Sequence, residues 1–261
     1  MNSKFGLVLK QWRQQRRMSQ LDLGLSANVS ARHISFLETG RSRPSRSMVL
    51  ILCEELDIPL PARNQLLTAA GLAPAYENRG LAADEMKPAE AAVGWMLERH
   101  DPFPAMALDR HWTLLQLNRS GQRLLSSFGL GQGDSLLDAF LDSPQLQSSL
   151  LNLSEVALHI RARLRTESAY QGGDHVLDAA ADRLSGLISD EQNILQYGAE
   201  GTLPAFVPTT YSFAGIKLSL FSTMTQFGTA EDIALSELKI EMLFPADDET
   251  RNILMALDTS H

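Results

Sequence analysis

Cysteine is nearly absent from this chain of 261 residues: Cys53 stands alone. One thiol cannot close an internal disulfide, so the stapled scaffolds of small secreted proteins are excluded. Long hydrophobic runs are missing as well. The longest purely apolar stretches, such as Met48 to Cys53, fall far short of the ~20 residues that span a bilayer. Near Lys4, Lys10 and Arg13 no small-residue cleavage site follows an apolar stretch, so a secretory leader is not expected. These features read as a soluble, cytoplasmic protein with no membrane partner. Catalytic signatures are equally scarce. There is no phosphate-binding loop and no nucleophile elbow, and Gly129-Leu130-Gly131-Gln132-Gly133 lacks the dinucleotide spacing. His100, Asp101, Asp109 and His111 straddle a Pro-Phe-Pro turn, without the spacing of helical metal ligands. The expectation is a protein without enzymatic activity, cofactor or metal.

What is present is divided by charge. The whole chain carries −8, yet its first 46 residues hold nine Lys or Arg against two Asp or Glu. Residues 1–76 sum to +5 and residues 77–261 to −13. A basic segment can meet a polyanion, because neutralising phosphates releases condensed counterions. The acidic remainder is repelled by such a partner and should face away from it.

Periodicity fills in the elements. Phe5, Val8, Leu9 and Trp12 recur at helical spacing over residues 3–16. Ser19 precedes a short second helix, with Asp22 placed for a capping box. Asn28 tolerates the left-handed turn that follows, and Gly24 leaves room for the next helix to cross. Ser30 caps a third helix, Ala31 to Glu38, which Gly40 stops. Pro44-Ser45 opens a fourth helix, and a fifth runs from about Pro61 to Ala70. Residues 77–90, with Gly80, Pro88 and no firm period, read as a linker. Residues 89–100 are helical again. Two apolar runs between Ala105 and Leu117, around Asp109-Arg110, predict a hairpin, and Asn118 caps a helix through Ser126. Helices are expected at 145–167 and 175–188, a second hairpin at 211–227, a last strand at 236–244 and a terminal helix at 249–257.

Leu9-Lys10-Gln11-Trp12-Arg13, Arg16-Arg17-Met18-Ser19-Gln20, Gly24, Val29-Ser30, Ile34 and Glu38-Thr39-Gly40-Arg41 with Pro44 resemble the Xre/lambda-repressor-like helix-turn-helix family. Ala70-Gly71-Leu72-Ala73-Pro74-Ala75-Tyr76, Leu97 to Ala105, Asp109-Arg110-His111-Trp112 with Asn118, and the segments 228–233 and 237–241 look like the MmyB-like regulators. The resemblance implies a multidomain chain: an all-α, five-helix, lambda-repressor-like DNA-binding domain over residues 1–76, then an α/β, PAS-like ligand-binding domain over 91–261. It implies an internal Arg13–Glu38 ion pair. The expected DNA-binding residues are Gln20, Ser30, Ala31, Arg32, His33, Phe36, Thr39, Arg41 and Arg43, since helix N-termini and basic side chains hold phosphates and the first turn of a recognition helix meets base edges. The expected ligand is a small apolar molecule of the fatty-acyl kind. Its candidate lining is Trp95, Met96, Met106, Trp112, Leu115, Phe213, Phe221 and Met224, residue types that suit an adaptable pocket and equally fill ordinary cores. The reading is a transcriptional regulator that binds a double-stranded operator, expected as a homodimer. Two rivals stand beside it: a second domain that is only a dimerisation platform, with a filled core, and an enzyme domain tethered to a DNA-binding module.

Overall fold

The structure is a computed structural model, which describes residues 4–81, 83–189, 206–213, 215–228 and 230–259. The chain divides into two compact units. One comprises Met1–Arg79 with Ser168–Asp174 and Thr229–Ser236; the other comprises Gly80–Glu167, His175–Gly228 and Glu237–His261.

Five helices build the first unit: α1 (Lys4–Gln15), α2 (Gln20–Ser26), α3 (Ala31–Glu38), α4 (Arg46–Glu55) and α5 (Leu60–Ala69). Their starts follow local chemistry. Ser19 Oγ accepts from the Asp22 N–H while the Asp22 carboxylate accepts from the Ser19 N–H, a complete capping box. Ser30 and Ser45 cap α3 and α4 in the same way through the His33 and Met48 N–H groups. Asn28 turns the chain at φ 54°. Two glycines set how closely the helices cross. A Cβ on Gly24 would stand 2.8 Å from the Val29 carbonyl oxygen, and one on Gly6 would stand 2.3 Å from that of Glu38. Phe5, Leu9, Leu23, Ile34, Leu37, Val49, Leu52 and Leu66 close the core. Cys53 lies within it, and burial raises its thiol to about 12.

The second unit is a five-stranded antiparallel sheet with helices. After a 3₁₀ turn at Asp84–Met86 come α6 (Lys87–Glu98), β1 (Ala105–Leu108), β2 (Leu114–Leu117), α7 (Arg119–Ser126), α8 (Leu136–Asp142), α9 (Pro144–Ser149), α10 (Leu153–Tyr170, whose last three residues belong to the first unit), α11 (His175–Leu184), β3 (Thr209–Phe213), β4 (Ile216–Thr225), α12 (Ile233–Glu237, of the first unit up to Ser236), β5 (Lys239–Pro245) and α13 (Asp248–Thr259). The strand order is β2-β1-β5-β4-β3, the α/β, PAS-like arrangement the sequence implied. Leu108, Leu114 and Leu164, with α8 and α11, bury the face between sheet and helices.

Four boundaries differ from expectation. Helix α6 begins at Lys87, where a linker was expected, because Pro88 falls in the first turn and needs no N–H partner there. The helix expected at 145–167 is broken after Ser149: Leu150 bridges Tyr211 and the Leu151 N–H donates to the Thr210 carbonyl, so sheet pairing interrupts the helical ladder. Residues 136–142 form a helix capped by Ser135 that periodicity missed. The last strand starts at Lys239 because Ile233–Glu237 is helical.

Candidate functional site

The first unit presents its candidate residues on and beside α3. Arg32, Arg41 and Arg43 are exposed, and among the described residues none forms an ion pair. The Phe36 ring lies close to two of them, with the Arg32 guanidinium 5.1 Å and that of Arg41 5.9 Å from its centroid. Phe36 therefore braces two cations as well as sitting one turn from the helix start. Ser30 is spent as the cap. The Thr39 hydroxyl donates to the Ser35 carbonyl at 2.7 Å. Ala31 and His33 are half-buried at the first turn. Gln20 differs from expectation in part, since its amide Nε2 donates to Glu38 Oε2 at 2.9 Å.

Behind this face stands the implied ion pair. Arg13 Nε and Nη2 donate to the two Glu38 carboxylate oxygens at 2.6 and 3.0 Å, and Arg13 Nη1 donates to the Met18 carbonyl. The bidentate fork is buried and ties α1 to the end of α3.

The second unit holds a cavity of about 180 Å³. Its apolar walls include Leu124 and Leu125 from α7, Leu136 and Phe140 from α8, and Val156 and Ile160 from α10. The sheet supplies Met106, Tyr211, Ser222, Glu241 and Leu243. Their common face follows from register. Met106 pairs with Glu241, Ser222 with Leu243, and Tyr211 with Leu218, so alternation points all of them toward the helices.

One side of the cavity is charged. Arg163 Nε donates to Glu167 Oε1 at 2.8 Å, and its Nη1 lies 3.3 Å from Glu241. Lys239 Nζ donates to Glu167 Oε2 at 2.8 Å, and the indole Nε1 of Trp112 donates to the same oxygen at 3.1 Å. The Arg163 guanidinium lies 4.2 Å and the Lys239 ammonium 5.3 Å from the centroid of the Trp112 ring. Trp112 reaches this place from a hairpin tip at φ 67°, a rare conformation for a bulky residue. The tip is held by Asp109, whose carboxylate accepts from the N–H groups of His111 and Thr113 at 2.8 Å each. Burial works against the charged form of Glu167, but Lys239 and Arg163 outweigh it and hold the carboxyl below its usual range. Desolvation lowers Lys239, opposed by Glu167.

Of the eight lining candidates, Met106 and Trp112 face the cavity. Trp95 is 60 % exposed on α6, and Met96 beside it is half-buried outside the cavity. Leu115 is the unpaired residue at a register shift between β1 and β2 and does not line the cavity, and Phe221 alternates with Ser222, which puts it on the opposite face of the sheet. There Phe221 stacks on Phe244 at 5.4 Å and meets Phe206 at a tilt, with the centroids 4.4 Å apart. Met224 is largely exposed and accepts from Arg163 through its sulfur. The side chain of Phe213 lies outside the described residues. Asn118 is structural: its Oδ1 accepts from the Ala105 and Gly121 N–H groups and its Nδ2 donates to the Leu97 and Phe103 carbonyls. Sequence reasoning missed Tyr211, Ser222 and the charged group. A signal existed for the last, since Arg163 and Glu167 stand four apart on one helix.

Comparison with known proteins agrees with both units. The helix-turn-helix family matches residues 9–62, and the MmyB-like transcription regulator ligand binding domain family matches residues 89–257. Among solved structures, the PAS domain from Bordetella pertussis BvgS is similar at 13% identity and a TM-score of 0.30, over 67% of this chain and 99% of that one. An RNA-binding light-oxygen-voltage receptor is similar at 13% identity and a TM-score of 0.28, over 99% of this chain and 62% of that one. No curated protein matches. Among the described residues no helix is long and apolar enough to cross a membrane. With its helix-turn-helix ahead of that ligand-binding domain, the chain belongs to the MmyB-like transcription regulators.

Proposed function

We propose that this regulator reads its operator as a homodimer through α3, under the control of a fatty-acyl or similar apolar molecule held in the cavity of the second unit. The observation that carries the reading is the pairing of opposites in one chain: three exposed arginines that have no acid partner among the described residues, and a cavity whose charged residues neutralise one another. Arg32 at the first turn of α3 reads a base edge, while Arg41 and Arg43 follow the phosphate backbone. A dimer doubles the few bases that one short helix can reach. In the cavity, apolar walls take the bulk of the ligand, and Ser222, Thr209 and the Arg163–Glu241 pair meet its polar end. A ligand changes DNA affinity only by favouring one form of the protein over another, so occupancy shifts the balance between dimer forms that differ in operator affinity.

The test is mass spectrometry of small molecules released when the purified protein is denatured, set against a mock purification. The expected result is a stoichiometric compound with a straight apolar chain. A cavity that carries nothing and takes up no such compound on titration contradicts the ligand reading and favours the platform.

A further inference from the structure

A second cavity, of about 200 Å³, lies beside the first within the same unit. Ile216 and Leu218 of β4 form one wall, and Leu254 and Leu257 of α13 form another. Its lining is more apolar than that of the first. Arg123 touches it, but Arg123 Nη1 is tied to the Leu257 carbonyl at 2.7 Å. Leu124 and Tyr211 line both cavities.

Tyr211 is the more informative of the shared residues. The residue is half-buried, and among the described residues its hydroxyl has no hydrogen-bond partner. Burial raises its pKa above the usual range, so the group stays a neutral donor. A ring whose hydroxyl holds no bond can change rotamer without breaking one.

Size points the same way. Each cavity alone is below the roughly 300–1,000 Å³ of small-molecule sites, and the two joined enter that range. They also differ in kind, one with the Arg163–Glu241 pair and Ser222 in its wall, the other nearly all aliphatic.

We propose that the two cavities are compartments of one site, in which a straight-chain amphiphile sets its polar end in the first and passes its chain beside Tyr211 into the second. This rests on the reading that the first cavity holds the ligand. Leu218 touches only the second cavity and Ser222 only the first, which makes the compartments separable.

Calorimetric titration of the full chain with 1-alkanols and matching carboxylates of six to ten carbons tests it. For the unaltered protein, one molecule is expected per chain, with affinity rising by up to about fourfold per added methylene. Leu218→Trp, which fills the second compartment, should erase that gain while the six-carbon probe binds as before. Leu257→Phe offers the same test should the first variant fail to fold. Ser222→Leu should weaken every length alike. Two molecules per chain, or an undiminished length dependence in a folded second-compartment variant, overturns the single site. If no probe of either series binds the unaltered protein, the ligand reading itself falls, and this inference falls with it.

Discussion

Arginine serves opposite ends in the two units. In the first, Arg32, Arg41 and Arg43 stand exposed without an ion pair among the described residues, in a chain whose acids outnumber its bases 31 to 23. In the second, Arg110, Arg119, Arg163, Arg165 and Arg183 each meet an Asp or Glu. The difference teaches where each charge is satisfied. A guanidinium left free on a helix face is available to a phosphate or a base edge outside the chain. A guanidinium held between two carboxylates has its charge met within the chain and fixes the wall of a cavity instead. Arg13 sharpens the contrast, because it belongs to the basic unit yet is forked onto Glu38 and so sides with the second group.

The comparison is broken most forcefully by removing a locked arginine. Arg163→Ala leaves Glu167 and Glu241 short of a partner in a partly buried network and is expected to destabilise the protein by about 3–5 kcal/mol. Arg13→Ala, which strands the buried Glu38, should fall in the same range. Urea unfolding followed by tryptophan fluorescence measures both; a loss below about 1 kcal/mol would make these pairs equivalent to surface ion pairs. Removing a free arginine should do the reverse. Arg32→Ala is expected to leave stability unchanged and to cost about 1–3 kcal/mol of discrimination at one base position, read as unequal losses across a panel of operator variants. Equal losses across the panel would reassign Arg32 to the phosphate backbone. Arg43→Ala should weaken all sequences alike and lower the slope of log affinity against log salt by about one; an unchanged slope would remove Arg43 from the interface.

The smallest effect concerns pH. Glu167 is held below its usual pKa in the folded protein, so it contributes stability that is present above its unfolded value of about 4.3 and is lost as pH falls through the folded one. Glu167→Gln should therefore flatten the decline of thermal stability below pH of about 4.3. An equally steep decline in the variant would mean that other carboxylates dominate acid unfolding.

The first unit was almost wholly legible in the sequence because its information is local. Ser19, Asp22, Ser30 and Asn28 announce caps and a turn within four residues of the groups they bond. Gly6 was overlooked, since the close approach it permits is to Glu38, far along the chain. The second unit was legible as hairpins and helices, less so as a cavity. In β5 the apolar residues Ile240, Met242 and Phe244 alternate along the strand. The helices instead cover Lys239, Glu241 and Leu243, and at Lys239–Glu241 both faces are buried. Pairing with β1 and β4, separated by more than a hundred and by some twenty residues respectively, decides which face meets the helices. No local pattern reports it. Trp95 and Phe221 were drawn toward the site by residue type alone, and the strand and helix phase that excludes them appears only once the sheet is assembled.

The most direct measurement is selection of duplexes from a random pool by the full protein, followed by anisotropy titration of the selected site with the unaltered chain and with Arg32→Ala. The expected result is enrichment of paired half-sites, saturable binding, and a loss in the variant concentrated at one base position. A pool that emerges without enrichment, or a selected site bound equally by both proteins, would contradict the assignment of α3 as the reading helix.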